Sequence, residues 1–181
     1  TKSLMHNDPV LWNRVLDRLA DHSITFISAQ LSAGARAFQL FDSWAGALSR
    51  ADYDTFVLPH STKVFRSLAE LHPGVPGIHF GIGCSHLLES MYAAGPRIIG
   101  LDWRTPIDEA RRRLGPDTAV QGNLDPVLLN TTPVIVERET RRLLESMRGT
   151  AGHIFNLGHG ILPAAKLECV ATLVGTVTGW R

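Results

Sequence analysis

The sequence predicts an α/β fold made of parallel βα units. Two observations carry that expectation. Five short apolar runs alternate with longer stretches in which apolar residues recur at helical spacing. Glycines and small polar residues gather directly after each short run, where the strands of such units end. Alternation of this kind is the pattern of a parallel sheet covered by helices.

The elements follow in order. Asp8-Pro9 opens a helix, because aspartate can cap it and proline fits the first helical position. Trp12, Val15, Leu16 and Leu19 recur at helical spacing, Ile27 and Leu31 extend the pattern, and Gly34 ends it. Ala37 to Phe41 reads as a buried strand bounded by Asp42-Ser43. Tyr53, Phe56, Val57, Phe65 and Leu68 mark helical segments broken near Pro59, and Gly77-Ile78-His79-Phe80 is the second strand. A helix around Leu87 to Ala94 leads to the strand Arg97 to Leu101. Thr105-Pro106 opens the next helix, which gives way at Gly115 to the strand Ala119-Val120-Gln121. Pro133 opens a long helix through Val136 and Leu144, His153 to Leu157 is the fifth strand, and Leu167 to Val177 the last helix. No linker or low-complexity stretch divides residues 1–181, so they are expected to form one domain.

Composition narrows the function. Apolar residues make up 44% and the formal net charge is +1, which predicts neither a disordered tail nor a field that would recruit nucleic acid or a membrane surface. Cys84 and Cys169 carry no pairing motif, which points to a reducing compartment and hence the cytoplasm. No apolar run is long enough to span a bilayer, and no secretory signal opens the sequence. There is no initiator methionine either, so the first residues read as if the chain began partway through a protein, or as a processed terminus.

The polar strand ends are Asp42-Ser43-Trp44, Gly81, Asp102-Trp103, Gly122 to Asp125 and Gly158-His159-Gly160. In a βα barrel they would converge on the active face. In an open doubly wound sheet a ligand would sit at a switch point instead. No G-x-G-x-x-G or P-loop follows any strand, which weakens nucleotide binding. Five strands fall short of the eight of a barrel and leave two edges unpaired.

Three stretches together resemble uroporphyrinogen decarboxylases. They are Phe38 to Gly46 with the Asp52-Tyr53 dipeptide, Gly100-Leu101-Asp102-Trp103 through Gln121-Gly122-Asn123-Leu124-Asp125-Pro126, and Asn156-Leu157-Gly158-His159-Gly160-Ile161-Leu162-Pro163. The resemblance covers essentially the whole chain. It implies the α/β (β/α)8 TIM-barrel fold, with about five C-terminal βα units present in residues 1–181. It also implies an enzyme of haem biosynthesis, a carboxy-lyase that removes the four acetate side chains of uroporphyrinogen III to give coproporphyrinogen III. The family uses no cofactor or metal and forms homodimers. Its substrate-binding arginines, key aspartate and substrate-binding tyrosine lie upstream of Thr1, so the isolated segment is expected to be inactive and no catalytic residue is assigned within it.

Ser43 and His159 match two substrate-binding positions of the family, and Phe41 an apolar position near the macrocycle. The plainer roles are a serine closing a turn and a structural histidine bonded to a carbonyl. Asp42, Asp102 and Asp125 would repel an octacarboxylate, so they read as backbone caps or arginine partners. The arginines at 111–113 and at 138, 141 and 142 read as solvated helix faces. Ala164-Ala165-Lys166 replaces an acidic-Thr pattern of the family, which removes a capping hydroxyl from the last helix.

Two other functions compete. A non-catalytic half-barrel could serve as an assembly partner. Zinc-dependent cobamide methyltransferases share the fold, but His79, Cys84 and Cys169 are a poor match to their His-x-Cys plus Cys zinc set.

Overall fold

The computed structural model describes residues 1–180. Its helices are α1 (Lys2–Asn7), α2 (Pro9–Ser32), α3 (Arg50–Phe56), α4 (Leu58–Leu71), α5 (Leu88–Ala93), α6 (Ile107–Leu114), α7 (Pro133–Ser146) and α8 (Leu167–Thr178). The strands are β1 (Phe38–Phe41), β2 (Gly77–Phe80), β3 (Ile98–Gly100), β4 (Ala119–Leu124) and β5 (His153–Leu157). They form one parallel sheet in the order β1-β2-β3-β4-β5.

Each strand therefore pairs with the next in sequence, and the winding never reverses. That removes the doubly wound alternative, which requires a switch point. Same-handed crossovers place the helices on one face of the sheet. The register separates two cross-strand rows. Leu40, His79, Ile99, Val120 and His153 form one. Ile99 and Val120 in this row pack with Leu87, Met91, Ile107 and Ala110 in the main core beneath the helices. Phe41, Phe80, Gly100, Gln121 and Ile154 form the opposite row.

The sheet curls toward that second row. Gln121 Nε2 donates to Gln39 Oε1 at 3.0 Å, joining β4 to β1. Three strand spacings in a flat sheet would separate those backbones by about 14 Å. A direct bond between the two side chains means that the sheet is concave on this side, as a barrel wall is.

Local chemistry sets the helix ends. Asp8 Oδ1 accepts the Leu11 N–H at 2.9 Å at the start of α2, and Ser49 Oγ accepts the Asp52 N–H at 3.1 Å at the start of α3. At α8 the cap position is Lys166, which makes no side-chain cap. Instead the Lys166 N–H reaches the Leu129 carbonyl at 2.9 Å and its ammonium the Thr131 carbonyl at 2.7 Å.

Four features depart from the sequence expectation. Helix α1 precedes Asp8 and buries Met5 completely. The helical region before Ala94 begins as a 3-10 turn, Ser85–Leu87. Strand β4 continues through Gly122-Asn123-Leu124, which read as a loop, because pairing with Phe155, Asn156 and Leu157 of β5 outweighs the weak strand preference of Gly-Asn. Arg113 does not lie on a solvated face. Its guanidinium takes both Glu89 oxygens at 2.9 and 3.0 Å and the Ser85 carbonyl at 2.7 Å, clamping α6 to α5. Arg112, Arg138, Arg141 and Arg142 are exposed, each beside a carboxylate.

The concave face is open. Phe41 is 65% exposed and Ile154 42%, and β1 and β5 each have an unpaired edge. The 181 residues alone should therefore self-associate or aggregate. Sedimentation of the isolated chain checks this, and a sharply monomeric, cooperatively melting species would contradict it.

A second expectation concerns acid. His153 Nε2 lies 2.9 Å from the Gly122 carbonyl, linking β5 to β4. Burial holds its pKa below the ordinary 6.5, against the opposing pull of that hydrogen bond. The folded chain thus binds fewer protons than the unfolded one, so stability falls as pH drops below the unfolded value. In a protein carrying this segment, His153→Gln should flatten the melting temperature between about pH 7 and 5.

Candidate active site

The strand ends converge on the concave side. Phe41 of β1, Phe80 of β2, Gln121 of β4, Asn156 of β5 and His159 beyond it line a cavity of about 380 Å³. That lies within the ordinary range for small-molecule sites, roughly 300–1,000 Å³. The structure thus brings Phe41 and His159 to one cavity from the two edges of the sheet. The Phe41 ring meets Phe80 edge-on, with centroids 5.9 Å apart. Ser43 sits half-buried in the turn after β1, beside Trp44 and outside the residues that line the cavity.

The rim is organised from the end of β3. The Asp102 carboxylate, 2% exposed, accepts the Gly83 N–H at 2.6 Å, the Arg104 N–H at 3.1 Å and the Arg104 guanidinium at 2.9 Å. Asn123 Nδ2 donates to the Asp102 and Thr105 carbonyls at 2.7 and 2.6 Å. The Arg104 guanidinium lies over the Trp103 indole, 3.9 Å from its centroid, and the His159 ring meets that indole edge-on at 6.1 Å. Gly158 is needed for this arrangement: a Cβ there would collide with the Trp103 backbone nitrogen.

Two of the three aspartates behave as expected. Asp102 caps the loop after β2 and pairs Arg104, and Asp125 Oδ1 accepts the Val127 N–H at 2.9 Å. Asp42 does neither. Its Oδ2 lies 3.6 Å from Nε2 of the wholly buried His79. The difference follows from register: Asp42 continues the row of Leu40 and His79 toward the helices. Cys84 is nearby, and burial, with the charges of Asp42 and Asp102, pushes its thiol up to about 12.

A zinc set of His79, Cys84 and Cys169 does not assemble. Cys84 belongs to the main core and Cys169 to a separate cluster with Leu129 and Val136. Among the described residues, no three His, Cys, Asp or Glu side chains are placed to hold a metal ion.

Sequence reasoning missed Gln39, Gln121 and Trp103. The two glutamines interrupt apolar strands on the concave side, a period-2 signal that was available. Trp103 was visible only as part of a motif, because its stacking between Arg104 and His159 depends on loop geometry.

Comparison with known proteins identifies the family. The family model "Uroporphyrinogen decarboxylase (URO-D)" matches residues 1–180. The chain is 54% identical over 98% of its length to the uroporphyrinogen decarboxylase of Saccharopolyspora erythraea and 52% identical over 98% to that of Rhodococcus erythropolis. In both cases it covers 51% of the relative, so it spans about half the length of the curated relatives it matches. Among solved structures it resembles a methyltransferase from Methanosarcina mazei, with a TM-score of 0.85 at 20% identity. That match covers 97% of this chain and 51% of the other, and it bears on the fold alone. The five curled, consecutively paired units are thus units of a (β/α)8 barrel, and the chain belongs to the uroporphyrinogen decarboxylase family.

Proposed function

We propose that a complete protein carrying this segment in its C-terminal half removes the four acetate carboxylates of uroporphyrinogen III, giving coproporphyrinogen III in the cytoplasm without a cofactor, and that the homodimer of the family is its assembled form. The observation that carries the proposal is the shared cavity of Phe41 and His159, at the strand ends of a chain in this family. The substrate can act as its own electron sink. Protonation of a pyrrole carbon creates a cation that takes up electrons as carbon dioxide leaves. The protein must then bind a flexible octacarboxylate, shelter the developing charge and manage protons.

Within that scheme Phe41 and Phe80 offer apolar area to the macrocycle and His159 a donor to its carboxylates, and Ser43, outside the cavity lining, offers a second donor from the turn after β1. The glycines on either side of His159 let a bulky ligand approach the backbone. The open face and unpaired edges of β1 and β5 also support a second reading, in which these residues act as a non-catalytic half-barrel partner.

Two outcomes test the main proposal. The purified 181 residues alone should release no measurable coproporphyrinogen, whereas the complete protein should do so after extensive chelation. Activity in the isolated segment would show that its own residues suffice. In the complete protein, His159→Asn should cost about 1–3 kcal/mol of substrate or transition-state binding, the scale of one charge-assisted hydrogen bond. Partly decarboxylated porphyrinogens should accumulate in a product assay while the melting temperature holds. Unchanged turnover with a lowered melting temperature would make His159 a structural residue.

A further inference from the structure

Behind the rim of β1 lies a group of polar side chains that the proposed substrate contacts leave unused. His79, on the helix-facing side of β2, is fully buried against the Phe65 ring, with centroids 5.1 Å apart. Its Nδ1 is 3.2 Å from the Met91 carbonyl of α5. A carbonyl can only accept, so Nδ1 carries a hydrogen. Nε2 is buried, has no hydrogen-bond partner among the described residues, and faces Asp42 Oδ2 at 3.6 Å. If both atoms presented lone pairs, two acceptors would oppose each other in a poorly solvated place, at a cost. A proton between them removes the conflict.

Buried groups pack around the pair. Tyr53 of α3 is fully buried, and its hydroxyl also lacks a hydrogen-bond partner. Burial, and then the Asp42 charge, push that phenol well above its ordinary value, so it remains protonated. Cys84, whose thiol stays protonated, acts on Tyr53 as well, and Asp102, which acts on Cys84, is committed to Arg104. Asp42 is the outlet. Its side chain is 25% exposed, between Phe41 on the cavity and Ser43 on the rim.

We infer that Asp42 and His79 form a proton relay that delivers protons to the substrate side of β1. This rests on the decarboxylase reading above and deepens it. At each acetate the bond between the methylene carbon and the carboxylate breaks and carbon dioxide leaves. The electron pair stays on the methylene carbon, conjugated with the pyrrole, and a new C–H bond takes up one proton. Four protons are thus consumed per macrocycle; Asp42, the exposed member of the pair, hands on each one and takes its replacement from solvent, while His79 holds the proton between steps. His79 acts through Asp42 and is a positioning residue, not a catalytic one.

The experiment uses the complete protein. His79→Asn keeps a donor where Nδ1 meets Met91 but removes Nε2, and Asp42→Asn keeps the shape but not the charge. Each should slow single-turnover decarboxylation by about 10–100-fold, below the full range for direct acid–base groups. Substrate affinity should stay within about twofold, and the fall in rate toward alkaline pH should flatten or shift. Rates and pH profiles that match wild type, or losses that track melting temperature alone, would overturn the relay. Nitrogen-15 NMR of His79 without substrate gives an independent answer. A hydrogen on Nε2 in wild type that is lost or altered in Asp42→Asn supports the pair, and a signal indifferent to Asp42→Asn refutes it. Absence of turnover in wild type would sink the decarboxylase reading, with the NMR result still deciding the proton pair.

Discussion

The rim of this sheet hangs on the buried carboxylate of Asp102. It receives donors from the loop after β2 and from the turn after β3, while its own backbone carbonyl receives Asn123 from β4. A carboxylate this deep is tolerated because each oxygen accepts at least one hydrogen bond and Oδ2 also meets a guanidinium. Trp103 follows in sequence, and Gly158 lets the next loop close onto its backbone. The placement of His159 is therefore inherited from β3 rather than set by β5 alone. Removing the Asp102 charge would release Arg104, the indole and the imidazole together.

The two faces of the sheet divide the work. Toward the helices, Ile99 and Val120 are completely buried and supply cohesion. Toward the concavity, Gln39 and Gln121 satisfy one another while Phe41 and Ile154 stay open. His79 belongs by register to the helix side, yet Asp42 extends that side to the rim. The row that holds the core together is thus continuous with the row that ends beside the cavity.

Much of this was legible in the sequence, for identifiable reasons. Strands β2 and β5 match their expected limits because apolar runs there are bounded by turn formers. His159 stood out because two glycines flank it at a strand end. The end of β4 was not legible, since Gly122 and Asn123 are strand residues only by virtue of their partners in β5. Nor was the role of Arg113, whose bond to Glu89 joins residues 24 positions apart on separate helices. Asp42 read as a backbone cap or arginine partner because a carboxylate there would repel an octacarboxylate. Only the alignment of Leu40 with His79 reveals what its carboxylate faces.

The uninterrupted strand order also bears on how the molecule is assembled. Every ladder joins a unit to the one synthesised just before it, so no strand has to wait for a distant partner to emerge. Each new strand meets a template already in place, and the helix between them covers it as it docks. The bond between Gln39 and Gln121 is the exception, spanning 82 positions. It cannot form until four strands exist, so this tie across the sheet is made only after the ladders it spans.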